Sequence, residues 1–153
     1  MGEVITTKPM IDGVAIHPLK QIKDDRGSVM HILRKDDPWF KAFGEVYFSS
    51  IKAGVVKAWK RHSKMIQSFA VPVGEIDLVV YDDRPESKTK GIIQKITVGV
   101  EHYGLVQIPS LVWYGFKGVA SGESLIVNCA SMPHDPSEVE RIDVLDKYIP
   151  YDW

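Results

Sequence analysis

Apolar and polar positions alternate with a period of two along most of the chain, and stretches of helical period are nearly absent. Such alternation sends successive side chains to opposite faces of a strand. The pattern predicts strands at Glu45–Lys52, Val55–His62, Gln67–Val73, Glu75–Asp82, Ile92–Val98, Gly104–Ile108, Val112–Gly118 and Glu123–Ala130. Upstream, Val14–Ile16 and Leu19–Ile22 read as one bent strand interrupted by Pro18. A turn at Asp24-Asp25-Arg26-Gly27 then leads into a strand-like Ser28–Arg34. One short helix is expected over Lys35–Phe43, with Asp36 or Asp37 capping it and Pro38 in its first turn. Gly or Pro punctuates most boundaries at short spacing, the mark of a sandwich or barrel. The tail after Pro133 is polar and then ends Ile149-Pro150-Tyr151-Asp152-Trp153. Two terminal aromatics predict a tail docked on the body.

The stretch Val55–Arg84 changes this picture from architecture to chemistry. Its first strand carries Lys57, Lys60, Arg61 and His62. Strict alternation places Ala58, Lys60 and His62 on one face and Lys57, Trp59 and Arg61 on the other. A lysine and a histidine side by side on a face that otherwise belongs to a core serve stability poorly. That face is expected to be the floor of a pocket. A turn at Gly74-Glu75 follows, then a second apolar strand running to Asp82-Asp83-Arg84.

With 153 residues, 44% hydrophobic and 25% charged, the chain has the make-up of one soluble globular domain spanning 1–153. A net charge of −1 argues against a whole-molecule grip on nucleic acid or an anionic membrane. No apolar run approaches the ~20 residues that span a bilayer, and the opening MGEVITTKPM lacks the charged start and apolar core of a signal peptide. The single cysteine, Cys129, fits a reducing compartment and a cytoplasmic protein, and is expected to be a small core residue.

Several short motifs, in order, carry a resemblance: Asp25-Arg26-Gly27, Phe43-Gly44-Glu45-Val46-Tyr47, Val56-Lys57-Ala58-Trp59 through His62, and Gly74-Glu75 through Asp82-Asp83-Arg84. Ile108-Pro109, Gly115-Phe116 and the final Ile149-Pro150-Tyr151-Asp152-Trp153 complete the set. Together they resemble the deoxysugar-nucleotide epimerase family, typified by dTDP-4-dehydrorhamnose 3,5-epimerase, over nearly the whole chain. The resemblance implies an all-β, cupin-type jelly roll, a cofactor-free homodimer, and a nucleoside-diphosphate 4-keto-6-deoxyhexose as partner. The implied reaction moves protons at the carbons flanking the ketone, with epimerisation at C3 and/or C5. By the same likeness Arg26 corresponds to an arginine that contacts the diphosphate, often from the neighbouring subunit. Lys57 stands where the family has a diphosphate-binding arginine, keeping the charge but not the bidentate fork. Asp83 and Arg84 are expected to be structural and to border the site.

The family's catalytic positions are altered. Lys60 replaces the base histidine, Tyr114 replaces the histidine of the Ile-Pro…Gly-Phe motif, His31 replaces a glutamate, and Gln67 replaces the lysine that steadies the enolate. The family's tyrosine acid falls near Val127 or Asn128, and the carboxylate that orients the base has no match. Proton abstraction beside a ketone needs a base in hydrogen-bond reach and donors for the developing oxyanion. His62 titrates near neutrality without help. Lys60 needs neighbouring cations and burial to act as base and otherwise serves the oxyanion. His62 and Tyr114 are therefore the acid/base candidates, with Lys60 as base or oxyanion partner. Arg26, His31, Lys57, Gln67 and Asn128 are the substrate-binding candidates.

Plainer roles compete at each position. A Lys-Arg-His run at a strand end is ordinarily a solvated edge, and Arg61 should face away from the pocket. Tyr114 is equally readable as a core aromatic. His17 and His102 read as surface residues, while His134 sits in a loop that flanks the pocket mouth. Metal is not expected, because an ammonium at position 60 repels a divalent ion where other cupins present a ligand. Two rival functions stay open: a sugar-nucleotide 3,4-ketoisomerase, and a non-catalytic cupin that binds a sugar nucleotide or a partner enzyme.

Overall fold

A computed structural model describes residues 11–153; the first ten residues, including the stretch tested above for a signal peptide, lie outside it. Twelve strands follow one another: β1 (Ala15–Pro18), β2 (Gln21–Asp24), β3 (Gly27–Met30), β4 (Glu45–Ile51), β5 (Val56–His62), β6 (Gln67–Val73), β7 (Glu75–Tyr81), β8 (Ile93–Gly99), β9 (Gly104–Ile108), β10 (Trp113–Gly118), β11 (Ser124–Ala130) and β12 (Val139–Arg141). They form two five-stranded antiparallel sheets, ordered β1-β9-β6-β11-β4 and β12-β5-β10-β7-β8, and a separate two-stranded ribbon of β2 and β3. The expected jelly roll is present.

Many strands are buried on both faces because apolar clusters lie between the sheets and outside each of them. Along β7, Ile76, Leu78 and Val80 enter the inter-sheet core with Phe69, Ile96, Val106 and Phe116. Val79 points the other way, toward Trp59, Trp113 and Ile149 beneath the C-terminal tail. On the far side of the first sheet, Ala70, Tyr103 and Leu105 are covered by Leu19, Ile32, Leu33 and Trp39. Two glycines permit close approaches. Gly74 joins β6 to β7 at φ +79, where any other residue is strained. A Cβ on Gly115 would meet the Cβ of Ala58 at 2.5 Å and the Trp153 ring at 3.0 Å.

The expected helix at Lys35–Phe43 does not form. The segment makes successive turns, with Asp37 N–H donating to the Arg34 carbonyl and Phe40 N–H to that of Asp37. Asp37 is poorly suited to helix because it precedes Pro38, and its carboxylate accepts from Arg34 N at 2.7 Å, which competes with helical bonding. Trp39 then packs its ring on His17 at 4.0 Å, so His17 is half-buried under an aromatic. The described helical turn is a 3-10 turn at Pro136–Glu138, capped by Asp135. The strand expected over Ser28–Arg34 pairs only as far as Met30, and β12 was not expected at all. The tail docks as anticipated: Ile149 is buried, and Tyr151 and Trp153 pack on Trp59 at 6.2 and 5.0 Å between ring centres.

Candidate active site

β5 lies between β10 and β12 and supplies most of the site. Its pairing with β10 matches Tyr114 to Lys60 but Phe116 to Lys57, so two residues of β5 oppose Gly115 alone. This bulge resets the alternation. Lys57, Ala58 and Lys60 all line one cavity of about 610 Å³. The expectation that Lys57 faces away from Lys60 is therefore corrected: both cations border the same hollow.

A second cavity, of about 370 Å³, is lined by His62 and by Glu45, Met65 and His134. Tyr47, Lys60, Tyr114 and Arg141 line both cavities and so mark their seam. His62 is buried, with 6% exposure, while Lys60 is exposed at the rim. Arg61 faces away as expected. It pairs with Asp83 at 2.9 Å and with Glu140, and it stacks over the Trp113 ring at 4.6 Å.

Glu138, which the sequence reading did not single out, is the carboxylate that meets His62. Its Oε1 meets His62 Nδ1, and its Oε2 accepts from the backbone N–H of Lys64 at 3.1 Å and of Met65 at 3.2 Å. On the other side of the imidazole, Nε2 lies 3.2 Å from the Tyr114 hydroxyl, and the two rings are parallel within 9°. Burial works to raise the Glu138 carboxyl, but the bonds from His62, Met65 and Lys64 hold it below the ordinary range. Burial pushes His62 below its ordinary value. Glu138 pulls it back, while Lys60 and Arg141 add to the lowering. At neutral pH the pair is then an ionised carboxylate and a neutral imidazole, with Nδ1–H donating to Glu138 and the Nε2 lone pair accepting from Tyr114. Burial holds the Tyr114 hydroxyl protonated well above its usual range. The result is a hydrogen-bonded chain, Glu138–His62–Tyr114, ending in both cavities.

The opposite wall comes from the other sheet. Tyr47 on β4 is the register partner of Asn128 on β11, and its hydroxyl accepts from Asn128 Nδ2 at 2.9 Å. Asn128 also bonds Gln67 Oε1, and Asn128 Oδ1 accepts from Ser68 N at 3.2 Å. Asn128 thus borders the larger cavity, whereas Gln67 is buried behind it as a support. Tyr47 thus stands on the strand next to Asn128 and lines both cavities.

Lys60 carries an ammonium pushed down by burial and by Arg141 and Lys57. Lys57 Nζ donates to the Ser50 carbonyl at 2.6 Å. Two substrate-binding candidates lie elsewhere. Arg26 is at the tip of the β2–β3 ribbon, paired with Asp24, with 85% of its side chain exposed. His31 borders neither cavity, and its carbonyl accepts from the Tyr103 hydroxyl at 2.9 Å. Cys129 is half-buried on β11, where burial pushes its thiol up. Among the described residues, no three His, Cys, Asp or Glu side chains are gathered at metal-binding distance.

No family model matches the chain. Individual relatives do. Over 146 residues it is 35% identical to the probable low-salt glycan biosynthesis epimerase Agl13 of Haloferax volcanii, covering 94% of this chain and 90% of that protein. It is 32% identical to the spore coat polysaccharide biosynthesis protein SpsL of Bacillus subtilis, covering 94% and 97%. The crystal structure of a dTDP sugar isomerase from Desulfovibrio desulfuricans superposes with a TM-score of 0.92 at 44% identity, covering 94% of this chain and 92% of that one. With the motifs, the jelly roll and these relatives in agreement, the chain belongs to the dTDP-4-dehydrorhamnose 3,5-epimerase-like family of deoxysugar-nucleotide epimerases.

Proposed function

We propose that the protein enolises and reprotonates a nucleoside-diphosphate 4-keto-6-deoxyhexose, giving epimerisation at C3 and/or C5. The observation that carries this is the Glu138–His62–Tyr114 chain, a base with an orienting carboxylate opening into a cavity. This reading gives the role of base to position 62, two residues beyond the family's position. In this reading Tyr114 accepts the carbon-bound proton as its own passes to Nε2, and Glu138 stabilises the imidazolium that forms. Inverting a carbon centre requires the returning proton to arrive on the other face. Tyr47, held by Asn128 on the opposite sheet, is the donor. Solvent then restores the Tyr47 proton and removes the one on His62, so no proton is gained or lost overall. Lys57, which lines the larger cavity and not the smaller, takes the diphosphate.

A homodimer fits the same reading. Ile22 and Val29 are register partners on the β2–β3 ribbon and are both exposed, an apolar patch beside Arg26. Docked on a second copy, the ribbon would bring Arg26 to the partner's cavity, which accounts for its distance from its own. The lone unpaired thiol supports the cytoplasmic setting.

The 3,4-ketoisomerase reading stays beside the epimerase one, because the Desulfovibrio relative is named only as a sugar isomerase, a word that covers both reactions. The buried, fully partnered His62–Glu138 pair favours chemistry over simple binding. Incubating the protein with a dTDP-4-keto-6-deoxyhexose in deuterium oxide and following the product by NMR separates the readings. Epimerisation exchanges deuterium into C3 or C5 and leaves the carbonyl at C4; isomerisation moves it to C3. Binding of dTDP as thermal stabilisation with no exchange supports the non-catalytic reading. Unchanged exchange in Lys60→Ala, His62→Ala and Tyr114→Phe would refute the site.

A further inference from the structure

We infer that Lys60 and Arg141 together form the site that holds the ketone oxygen as it becomes an enolate, an inference that rests on the enolisation reading above. The sequence has five arginines, and Arg26, Arg34, Arg61 and Arg84 each pair with a carboxylate. Arg141 does not. Neither it nor Lys60 has a side-chain hydrogen bond or ion pair among the described residues. Of the carboxylates nearby, Glu140 is committed to Arg61 and Glu138 to His62, while Glu45 lines the smaller cavity and Asp143 the larger without an ion pair to either cation among the described residues. Alternation along β12 makes this separation, sending Glu140 outward and Val139 and Arg141 toward the cavities.

Arg141 and Lys60 are also direct register partners across β12 and β5. Like charges facing each other across a strand pair repel, so this pair costs the empty protein stability. A bound anion relieves the repulsion. Both cations line the seam shared with Tyr114, whereas Lys57 lines the larger cavity alone. The seam pair thus stands beside the base, where proton removal leaves negative charge on the ketone oxygen. A second source of negative charge is the phosphate attached to the sugar, and the experiment must tell the two apart. The pair also favours a neutral His62, since both cations lower its proton affinity.

Arg141→Gln, Arg141→Lys and Lys60→Met test the assignment, measured by deuterium wash-in for kcat and KM and by dTDP affinity for the grip on phosphate. Both side chains are exposed at the rim, so the fold is expected to persist, which thermal melting checks. Arg141→Gln and Lys60→Met should each lower kcat ~10²–10³-fold. KM and dTDP affinity should stay within about threefold, Arg141→Lys should fall between, and added guanidinium should partly restore Arg141→Gln. A ~10-fold or greater loss of dTDP affinity with kcat retained would overturn the assignment in favour of a phosphate clamp. Full kcat and affinity in all three would overturn it in favour of two solvated surface cations. Absence of exchange in the unaltered protein refutes the enolisation reading and this inference with it; an active protein with full-rate variants refutes this inference alone.

Discussion

Glu138→Gln removes a charge while keeping shape, and the geometry around the carboxylate dictates the outcome. Oε1 serves one donor, the imidazole Nδ1–H, and Oε2 serves two, the backbone N–H groups of Lys64 and Met65. A glutamine has one oxygen and one NH₂, so one side must set donor against donor. Leaving a buried donor unpaired costs about 1–3 kcal/mol. Keeping both backbone groups paired is therefore preferred, and the NH₂ then faces His62. The imidazole adapts by moving its proton to Nε2, so that Nδ1 accepts from the amide. That tautomer points N–H at Tyr114 and has no base facing the cavity. The expected result is a folded protein destabilised by about 1–3 kcal/mol, with kcat for deuterium wash-in reduced ~10²–10⁴-fold and KM little changed. Nitrogen-15 NMR of the His62 ring should show the proton transferred from Nδ1 to Nε2. A variant with kcat within about threefold of the unaltered protein, on an unchanged tautomer, would refute the orienting role and leave Glu138 a purely structural acceptor.

Three further outcomes follow from other parts of the molecule. The base must be neutral to act, so the rate should fall as pH drops through the lowered pKa of His62. His62 is surrounded by Glu138, Tyr114, Lys60 and Arg141, with Glu45 and His134 lining its cavity; in Lys60→Met a lowering influence is lost, and the acid limb of the rate profile should move to higher pH. Gly115→Ala drives a methyl into Ala58 and Trp153, at a cost of about 1–3 kcal/mol and a Tm fall of roughly 3–10 °C by scanning fluorimetry. Burial works to raise the Asp82 carboxyl, but Arg84, Ser87 and Thr89 hold it far below its usual value. Asp82→Asn should therefore cost about 3 kcal/mol at neutral pH. In urea titrations that deficit should shrink as pH falls below about 4, because the unfolded chain then takes up a proton at Asp82 while the folded chain does not, which erodes the unaltered protein's advantage.

Most strands of the two sheets were legible from their apolar runs and the Gly and Pro between them, and Gln67–Val73 and Gly104–Ile108 match to the residue. Sheet order was not legible, since pairing is between distant segments and nothing local reports it. The helix expectation at Lys35–Phe43 took Asp and Pro as a cap, when the same residues serve equally well in turns. Lys60, His62 and Tyr114 were found from face alternation and family likeness; Lys60 and Tyr114 stand on the seam, and His62 meets Tyr114 from the smaller cavity. Lys57 was assigned to the wrong face because a bulge is invisible to a strict period of two. Glu138, Arg141 and Tyr47 were missed for another reason. The first two sit in a three-residue strand and a 3-10 turn too short to leave a pattern, and Glu138 reaches the imidazole across 76 residues of sequence. Tyr47 lay inside a recognised motif, but only its pairing with Asn128 gives it a place in the site.

The most direct test is a structure of the protein with a nucleoside-diphosphate 4-keto sugar, or its stable analogue, in the cavity. The sugar ring should lie between Tyr114 and Tyr47, with the ketone oxygen toward Lys60 and Arg141 and the diphosphate toward Lys57. A ring carbon beside the ketone should fall within about 3.5 Å of the Tyr114 hydroxyl or His62 Nε2. A nucleotide bound instead in the separate hollow beside Arg61 and Arg84, or a sugar turned away from the Glu138–His62–Tyr114 chain, would contradict the account.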